Sequence, residues 1–422
     1  MAGHIQDRWF KTETGPDGKP RRVKSERHGT GMRYRARYVG PDGTEKSKSF
    51  PDRQKRLADQ WLAQVEADMS RGQYIDPRAS RITFQQYGEK WLRNHQADPN
   101  TGFSMESQLR LHAFPYIGSR PLGSFKPEHI RDWIADLTAA GVVGSYARVI
   151  YSNVRTVLNA AVDDGHLPKN PCSARSVKAP AVETKRVAPW TADRVFAVRA
   201  ALPDRYQAMV DIGAGCGLRQ GEILGLTADS IDFTTNTVHV VQQLKLSRSK
   251  PVFAPPKGGK LRDVPLPEPV ADALRAHLAK FPPADITLPW MTQRGQHVTK
   301  RLIFTAPLGN HVWRSMFNTD QWKPALAAAG VIPEREKGQQ SYASAREHGM
   351  HALRHFYASV LLDAGENIKT LAEYLGHSDP GLTLRVYAHL MPSSRERTRK
   401  AVADVFEGAY APRHRGTGGR DG

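Results

Sequence analysis

Apolar residues recur at helical spacing in three stretches between residues 82 and 165 of this 422-residue chain. Within each stretch they lie three or four positions apart, which places their side chains on one face of a helix. The three stripes are Phe84, Tyr87 and Trp91; Ile130, Trp133, Ile134 and Leu137; and Tyr151, Val154, Leu158 and Ala161. The pattern predicts an all-helical block with an aromatic core.

Residues 32–39 show a period of two instead, because apolar and basic side chains alternate. The alternation predicts a strand whose two faces consist of Met32, Tyr34, Ala36 and Tyr38 and of Arg33, Arg35 and Arg37. Gly-Pro-Asp-Gly sequences at residues 15–18 and 40–43 are typical of turns, so further strands are expected beside this one.

A helical pattern follows these predicted strands. Asp52 is a candidate N-cap and Gly72 a candidate stop. Between them the apolar residues Leu57, Trp61, Leu62 and Val65 recur at helical spacing. The front of the chain is therefore predicted to form three short strands and one helix.

The second half reads as mainly helical with a small sheet. Residues 172–189 contain prolines, alanines and basic residues without apolar periodicity, which indicates a linker. Helical patterning resumes after Thr191, and residues 237–241 and 261–266 are predicted strands around a turn at residues 255–259. The fold class predicted for the whole chain is α+β, mainly α with small β-sheets.

The net charge of the chain indicates what kind of partner it binds. The chain has 61 Lys and Arg against 42 Asp and Glu, a formal charge of +19, and residues 1–56 alone carry an excess of +8. Such an excess favours a polyanion, with nucleic acid as the leading candidate. The face formed by Arg33, Arg35 and Arg37 could enter a DNA groove, although a basic face that only meets solvent is the alternative.

Composition also bears on the cellular compartment. The two cysteines, Cys172 and Cys216, are better explained as free thiols than as a disulfide. The first residues lack the apolar core of a signal peptide, and no apolar run reaches membrane-spanning length. We expect a soluble protein in a reducing cytoplasm.

Two arginines stand in the same local pattern. Arg219 lies three residues before Glu222, and Arg354 lies three residues after His351 and directly before His355. Two guanidinium groups could hold the non-bridging oxygens of one phosphate and stabilise its pentacoordinate transition state. Glu222 would orient its neighbours. An isolated Arg-Glu pair, by contrast, is usually a weak surface ion pair.

The histidines allow two interpretations. His348, His351 and His355 could bind a metal, since the last two have the i, i+4 spacing of a helical zinc pair. Ala352 stands where the metalloprotease motif needs Glu, so we predict no metal site. As a free base, His351 could accept a phenolic proton, and His355 would then be structural.

Tyr387 completes the set, ten positions after His377. A lone helical tyrosine is normally a core residue, but nearby cations and a base could turn its phenol into a nucleophile. The order Arg219, Lys257, His351-x-x-Arg354, His377, Tyr387 resembles that of the tyrosine recombinase (lambda-integrase) family, in particular phage-type integrases. The resemblance extends from about residue 82 to the last helix.

The resemblance implies residue roles. Lys257 would be the general acid that protonates the 5′-oxygen leaving group, with Lys260 as the fallback because a glycine-rich turn can shift register. His377 would donate a hydrogen bond to the scissile phosphate. Tyr387 would form a 3′-phosphotyrosyl intermediate, and neither metal, ATP nor another cofactor would be needed.

The resemblance also implies a domain order. It consists of an arm-type DNA-binding domain at residues 1–78, a helical core-binding (SAM-like) domain at 82–170, a linker at 171–189, a catalytic domain at 190–410 and a disordered tail at 411–422.

A site-specific recombinase that integrates and excises a phage or other mobile element is the function implied. Its partners would be double-stranded attachment sites, an excisionase, a DNA-bending host factor and three further copies of the chain, in the cytoplasm and on the nucleoid of a bacterial host. Val402 and Phe406 would pack on the neighbouring subunit. A type IB topoisomerase-like enzyme and a non-catalytic DNA-binding regulator are the alternatives.

Overall fold

The computed structural model describes residues 3–390 except 17, 72, 73, 75, 77, 78, 96, 97, 183–187 and 337, together with Arg399 and Ala403. The chain divides into two compact units, residues 1–183 and 184–422. Within the described ranges, no helix is long and apolar enough to cross a bilayer. Gly72, Val402, Phe406 and the predicted tail lie outside the described residues.

The front of the chain forms the predicted sheet and helix. Three antiparallel strands in the order β1-β4-β5 carry helix α1, and a separate hairpin, β2-β3, lies between β1 and β4 in sequence. The elements are β1 (His4–Asp7), β2 (Phe10–Thr14), β3 (Pro20–Lys24), β4 (Tyr34–Val39), β5 (Glu45–Phe50) and α1 (Lys55–Ser70). Tyr34, Ala36 and Tyr38 are buried together with Leu62, as the alternation predicts.

Three details of that prediction are wrong. Met32 precedes β4 and is exposed, and Leu57 is on the solvent side of α1. Asp52 is not the N-cap, since Gln54 has that position without a side-chain cap. Asp52 instead accepts a hydrogen bond from Arg33 at 2.9 Å, because the nearby guanidinium competes for the carboxylate.

The helical block is confirmed. Its helices are α2 (Phe84–Asn94), α3 (Pro99–His112), α4 (Phe114–Ile117), α5 (Pro127–Ala139) and α6 (Gly144–Asp163). The three predicted stripes bury Phe84, Trp133 and Leu158 among others in one core. Cys172 and Val177, both within the predicted linker, are buried in the same core.

The second unit contains the remaining elements. They are α7 (Ala192–Ala201), α8 (Asp204–Cys216), α9 (Gln220–Leu224), β6 (Ile231–Asp232), β7 (Thr237–Val240), β8 (Gln243–Ser247), β9 (Lys250–Ala254), β10 (Arg262–Pro265), α10 (Glu268–Lys280), β11 (Ala284–Pro289), β12 (His297–Leu302), α11 (Arg314–Phe317), α12 (Lys323–Ala328), α13 (His351–Asp363), α14 (Ile368–Tyr374) and α15 (Pro380–Tyr387). Strands β7 and β10 confirm the two predicted strands and pair antiparallel, with Arg262 opposite Val240. The hairpins β8-β9 and β11-β12 had no counterpart in the sequence prediction.

Helix α8 lies at the centre of this unit and runs beside α13 and α10. Met209, Ile212 and Leu353 are among the buried residues of the core that joins them. The unit is thus helical around three small antiparallel sheets, which confirms the predicted α+β class. The candidate catalytic residues lie on α9, α13 and α15, in the turns before α9 and after α14, and in the loop before β10.

Candidate active site

Arg219 is placed by the turn between α8 and α9. Gly217 ends α8 with φ +64°, and a Cβ there would lie 2.4 Å from the ring of Tyr357, so only glycine fits. Arg219 then takes the N-cap position of α9. Its backbone N–H donates to Glu222 Oε2 at 2.8 Å, and its Nη1 donates to Oε1 at 2.9 Å.

The end of α14 brings four cationic side chains together. Helix-terminal carbonyls lack partners within the helix and carry partial negative charge. Four successive carbonyl oxygens accept hydrogen bonds here: Tyr374 from Arg262 Nε at 2.7 Å, Leu375 from Arg354 Nη2, Gly376 from Arg219 Nη2 at 3.3 Å, and His377 from Lys260 Nζ at 3.1 Å. The donors come from distant parts of the chain, and all converge on the turn that carries His377.

Glu222 balances part of this positive charge. Its side chain is fully buried and accepts from Arg262 Nη1 and Nη2 at 3.1 and 2.7 Å as well as from Arg219. Burial by itself would raise the pKa of Glu222, but the hydrogen bonds and charges of Arg262 and Arg219 outweigh it and lower the pKa to about 2. Two hydrogen bonds thus join Glu222 to Arg219, and the orienting role of Glu222 stays a prediction.

Arg354 is fully buried. Its Nη1 donates to Gly217 O at 2.8 Å, and its Nε has no hydrogen-bond partner among the described residues. Burial, followed by the charge of Arg219, lowers its pKa below the usual range. A guanidinium with an unused, inward donor next to other cations can stabilise an anion placed there.

Tyr387 is in contact with His355 and not with His351. His355 Nδ1 lies 2.7 Å from Tyr387 Oη, while the His351 ring meets the His355 ring edge to face at 4.6 Å between centroids. The sequence assigned the proton-accepting role to His351 and a structural role to His355. The geometry favours the opposite order, because the helix turn between them points His355 at α15.

Burial sets the protonation of this pair. It raises the pKa of Tyr387 to about 12, although the charges of Arg354 and Arg219 act in the other direction. Burial, and then the charge of Arg354, lowers the pKa of His355 to about 4. At neutral pH a neutral imidazole thus faces a neutral phenol, and Nδ1 can accept a hydrogen bond from Oη in the tautomer that carries its proton on Nε2.

His377 is fixed by the same helix that carries Tyr387. Its Nδ1 lies 2.7 Å from the hydroxyl of the fully buried Thr383 on α15. Asp379 caps α15 by accepting from the backbone N–H of Gly381 at 2.8 Å. Burial, followed by the charges of Arg354 and Arg219, lowers the pKa of His377 to about 4.

The two candidate lysines differ in placement. Lys257 is exposed in the turn before β10 and makes no hydrogen bond to any described residue. Lys260 is also exposed but reaches the carbonyl of His377. The structure brings Lys260 to the site and leaves Lys257 at the tip of its loop.

Sequence reasoning missed Arg262. A signal was present, because Arg262, Val264 and Leu266 share one face of the predicted strand and the other two are apolar. A charged residue on an apolar strand face points to a buried ion pair. Thr383 was missed as well, and its sequence context contains no comparable signal.

A cleft of about 350 Å³ opens beside the histidines. Trp190, Arg194, Arg346, His351 and His355 are among its lining residues. The two arginines make the cleft attractive to a phosphate backbone. Within the part of the chain that the structure describes, no three His, Cys, Asp or Glu side chains form a group that could hold a metal ion.

The basic strand face lies in the first unit. Arg33 donates to Asp7 and Asp52, and Arg37 pairs with Glu45 at 2.8 Å. Arg35 donates only to the hydroxyl of Ser47 within the described ranges. All three are half-buried on the sheet face opposite α1.

Comparison with known proteins identifies the family. The model of the phage integrase family matches residues 191–393, and that of the phage integrase N-terminal SAM-like domain matches residues 83–138. The chain belongs to the phage integrase family. It is a site-specific tyrosine recombinase, an enzyme that exchanges DNA strands.

Two curated proteins are similar to this recombinase in sequence. A tyrosine recombinase XerC-like protein of Caldanaerobacter subterraneus is 27% identical over 67% of this chain and 71% of its own length. A putative prophage phiRv2 integrase of Mycobacterium tuberculosis is 25% identical over 88% of this chain and 92% of its own length.

Solved structures share the fold. The Tn1549 transposon integrase in complex with a circular intermediate DNA matches with a TM-score of 0.60 at 20% identity, over 77% of this chain and 99% of that one. A lambda integrase tetramer bound to a Holliday junction matches with a TM-score of 0.51 at 15% identity, over 82% and 93%.

The histidine pKa values predict a pH-dependent stability. Between pH 6.5 and about 4, His355 and His377 are protonated in the unfolded chain but remain neutral in the folded protein. The free energy of unfolding therefore decreases as the pH falls through this range. Each such group contributes a slope of up to about 1.4 kcal/mol per pH unit. His355→Gln should therefore flatten the pH dependence of the melting temperature of the full chain. Equal slopes for the variant and the wild type would contradict the assignment.

Proposed function

We propose that this tyrosine recombinase integrates and excises a temperate phage genome or a similar mobile element through a 3′-phosphotyrosyl bond to Tyr387. One observation carries the residue assignment. Arg219 and Arg354 donate to successive carbonyls directly before His377, and Tyr387 lies on the helix that holds His377. A phosphate at this turn would meet two guanidinium groups and an imidazole.

The chemistry then follows from named atoms. Tyr387 Oη attacks phosphorus while its proton passes to His355 Nδ1, the base already in contact with it. The bond from phosphorus to O5′ breaks, its electron pair stays on O5′, and a lysine ammonium protonates that oxygen. Arg219 and Arg354 stabilise the charge on the pentacoordinate phosphorus. Rejoining reverses these steps with a new 5′-hydroxyl, and no ATP or metal is required.

Double-stranded attachment sites are the proposed substrate. The relatives named as integrases, and a similarly folded integrase solved with DNA, support this choice. A homotetramer would align two sites, as in the lambda integrase tetramer bound to a Holliday junction. Contacts of Val402 and Phe406 between subunits remain part of this proposal. The setting would be the cytoplasm of a bacterial host, on its nucleoid, with an excisionase and a DNA-bending host factor.

The open face of the β1-β4-β5 sheet is proposed to bind the arm sites. Arg33 and Arg37 are held by carboxylates, which fixes their direction, and Arg35 has only the Ser47 hydroxyl as a partner among the described residues. An ordered row of guanidinium groups on a sheet can enter a DNA groove.

Tyr387→Phe tests the covalent step. The variant should bind core-site DNA like the wild type and lose the protein–DNA adduct on nicked suicide substrates by a factor on the order of 10⁴ or more, because no nucleophile remains. Denaturing gels of the trapped adduct measure this. Tyr206→Phe, at a buried tyrosine of α8, is the matched control and should react normally. Adduct formation by the Tyr387 variant would refute the assignment.

Lys257→Ala and Lys260→Ala decide which lysine is the general acid. A thiol leaving group needs no protonation, so DNA with sulfur at the bridging 5′ position should rescue the variant that lacks the acid. The family resemblance assigns the acid to Lys257, and Lys260 Nζ is already bonded to the carbonyl of His377. We therefore expect Lys257→Ala to cleave ordinary DNA about 10²–10⁴ times more slowly and to recover on the sulfur substrate. Lys260→Ala should lose less and show no rescue. The reverse pattern in single-turnover cleavage would assign the acid to Lys260.

Arg35→Ala tests the arm-binding face. Losing one phosphate contact should weaken arm-site binding and reduce the slope of log K against log salt by about 0.9. Filter binding or fluorescence anisotropy at several salt concentrations gives both values. Arg56→Ala removes the same charge from the exposed surface of α1 and should leave the slope unchanged. Equal effects of the two variants would show that only net charge matters.

A further inference from the structure

Arg262 opens strand β10 with a guanidinium that is almost completely buried. Its side chain is 3% exposed, and the side chain of its partner Glu222 is 0% exposed. Two parallel hydrogen bonds of 3.1 and 2.7 Å join Nη1 and Nη2 to the two carboxylate oxygens. This bidentate geometry fixes the orientation of both groups, and burial prevents either from exchanging its partner for water.

The third nitrogen of the Arg262 guanidinium reaches a different element. Nε donates to Tyr374 O at 2.7 Å, at the last residue of α14. Gly376 lies against the same guanidinium, since a Cβ at Gly376 would be 3.1 Å from Arg262 Nη1 and 3.3 Å from Cζ. One planar group therefore contacts both the carboxylate that orients Arg219 and the turn that leads to His377.

We propose that Arg262 is a positioning residue for strand cleavage. It holds Arg219 through Glu222, and it holds His377 through the turn at residues 374–376. The two contacts keep Arg219 and His377 at the separation that one phosphate requires. The proposal rests on the function proposed above, because that function assigns Arg219 and His377 to the scissile phosphate. Arg262 itself does not contact the reacting atoms. Its effect is transmitted by Glu222 Oε1, which accepts from both arginines, and by the carbonyl of Tyr374.

Lysine cannot supply this geometry. A guanidinium has donors in three in-plane directions, two of which match a carboxylate while the third points away. An ammonium keeps the charge beside Glu222 but cannot make the bidentate pair and the Tyr374 contact together. Arg262→Lys therefore preserves the electrostatic balance of the buried site and removes only the alignment.

Single-turnover adduct formation on suicide DNA measures the effect. Misplacement of reacting groups by about 1 Å can cost a factor of about 10², so we expect Arg262→Lys to react about 10²-fold more slowly with DNA affinity changed less than about twofold. Arg275→Lys is the matched control, because Arg275 is a partly exposed arginine of α10 that pairs with Glu268 and Asp272. The control should react at the wild-type rate. A wild-type rate for Arg262→Lys would overturn the proposal.

A double-mutant cycle separates positioning from a general loss of structure. When Arg219 and His377 are both replaced by alanine, the groups that Arg262 positions are absent, and adding Arg262→Lys should slow the reaction by less than about threefold. DNA with a bridging 5′ sulfur raises the residual rates into a measurable range. Equal fold-losses in the wild-type and Ala backgrounds would overturn the proposal, because they would show that Arg262 acts independently of both residues.

Gly376→Ala is a second test of the positioning role, to be used if Arg262→Lys folds poorly. It keeps every charge and presses the turn against Arg262, in a backbone conformation with φ +60°. Slow cleavage with retained DNA binding is expected, and a wild-type rate would contradict the proposal. Tyr387→Phe in parallel reports on the chemistry alone. If it forms no adduct while Arg262→Lys reacts normally, the proposed function stands and only the positioning role is lost.

Discussion

The carboxyl end of α14 is the point on which the site depends. Its last carbonyl and the three that follow accept hydrogen bonds from Arg262, Arg354, Arg219 and Lys260 in that order. A helix end attracts cations because its carbonyls are unpaired and partially negative. This attraction ties α9, α13 and the start of β10 to one turn, so that residues more than a hundred positions apart meet at His377.

Such a concentration of positive charge is stable only with compensation. Glu222 supplies it, since one buried carboxylate is shared between Arg219 and Arg262. Arg354 has no carboxylate partner among the described residues and relies on the carbonyls of Gly217 and Leu375. The site therefore retains uncompensated positive charge, and a phosphate is the group that would balance it. The neutral state of His355 and His377 limits the repulsion between like charges.

In the proposed mechanism, helix α15 links phosphate binding to nucleophilic attack. Thr383 holds His377, and Tyr387, one turn later, holds His355. Both contacts depend on the position of one eight-residue helix, so any displacement of α15 moves the partners of His377 and His355 together. Burial keeps the phenol protonated in this arrangement, while the arginine charges favour the phenolate. In the proposed mechanism, the balance between these two effects would set the reactivity of Tyr387.

Amino-acid order alone predicted the fold class, the helical stripes such as Phe84 and Trp133, the two strands around residue 257 and the family, because periodicity and motif order are local properties of the chain. It also placed Arg219, His351, Arg354, His377 and Tyr387 in one set. The folded chain was needed to show which histidine meets Tyr387, which lysine reaches His377 and that Arg262 joins the site. These contacts form only where the fold brings side chains from distant segments within a few ångströms of each other. Neighbouring candidates such as His351 and His355 carry the same chemistry in the sequence and differ only in the direction in which the folded helix points them.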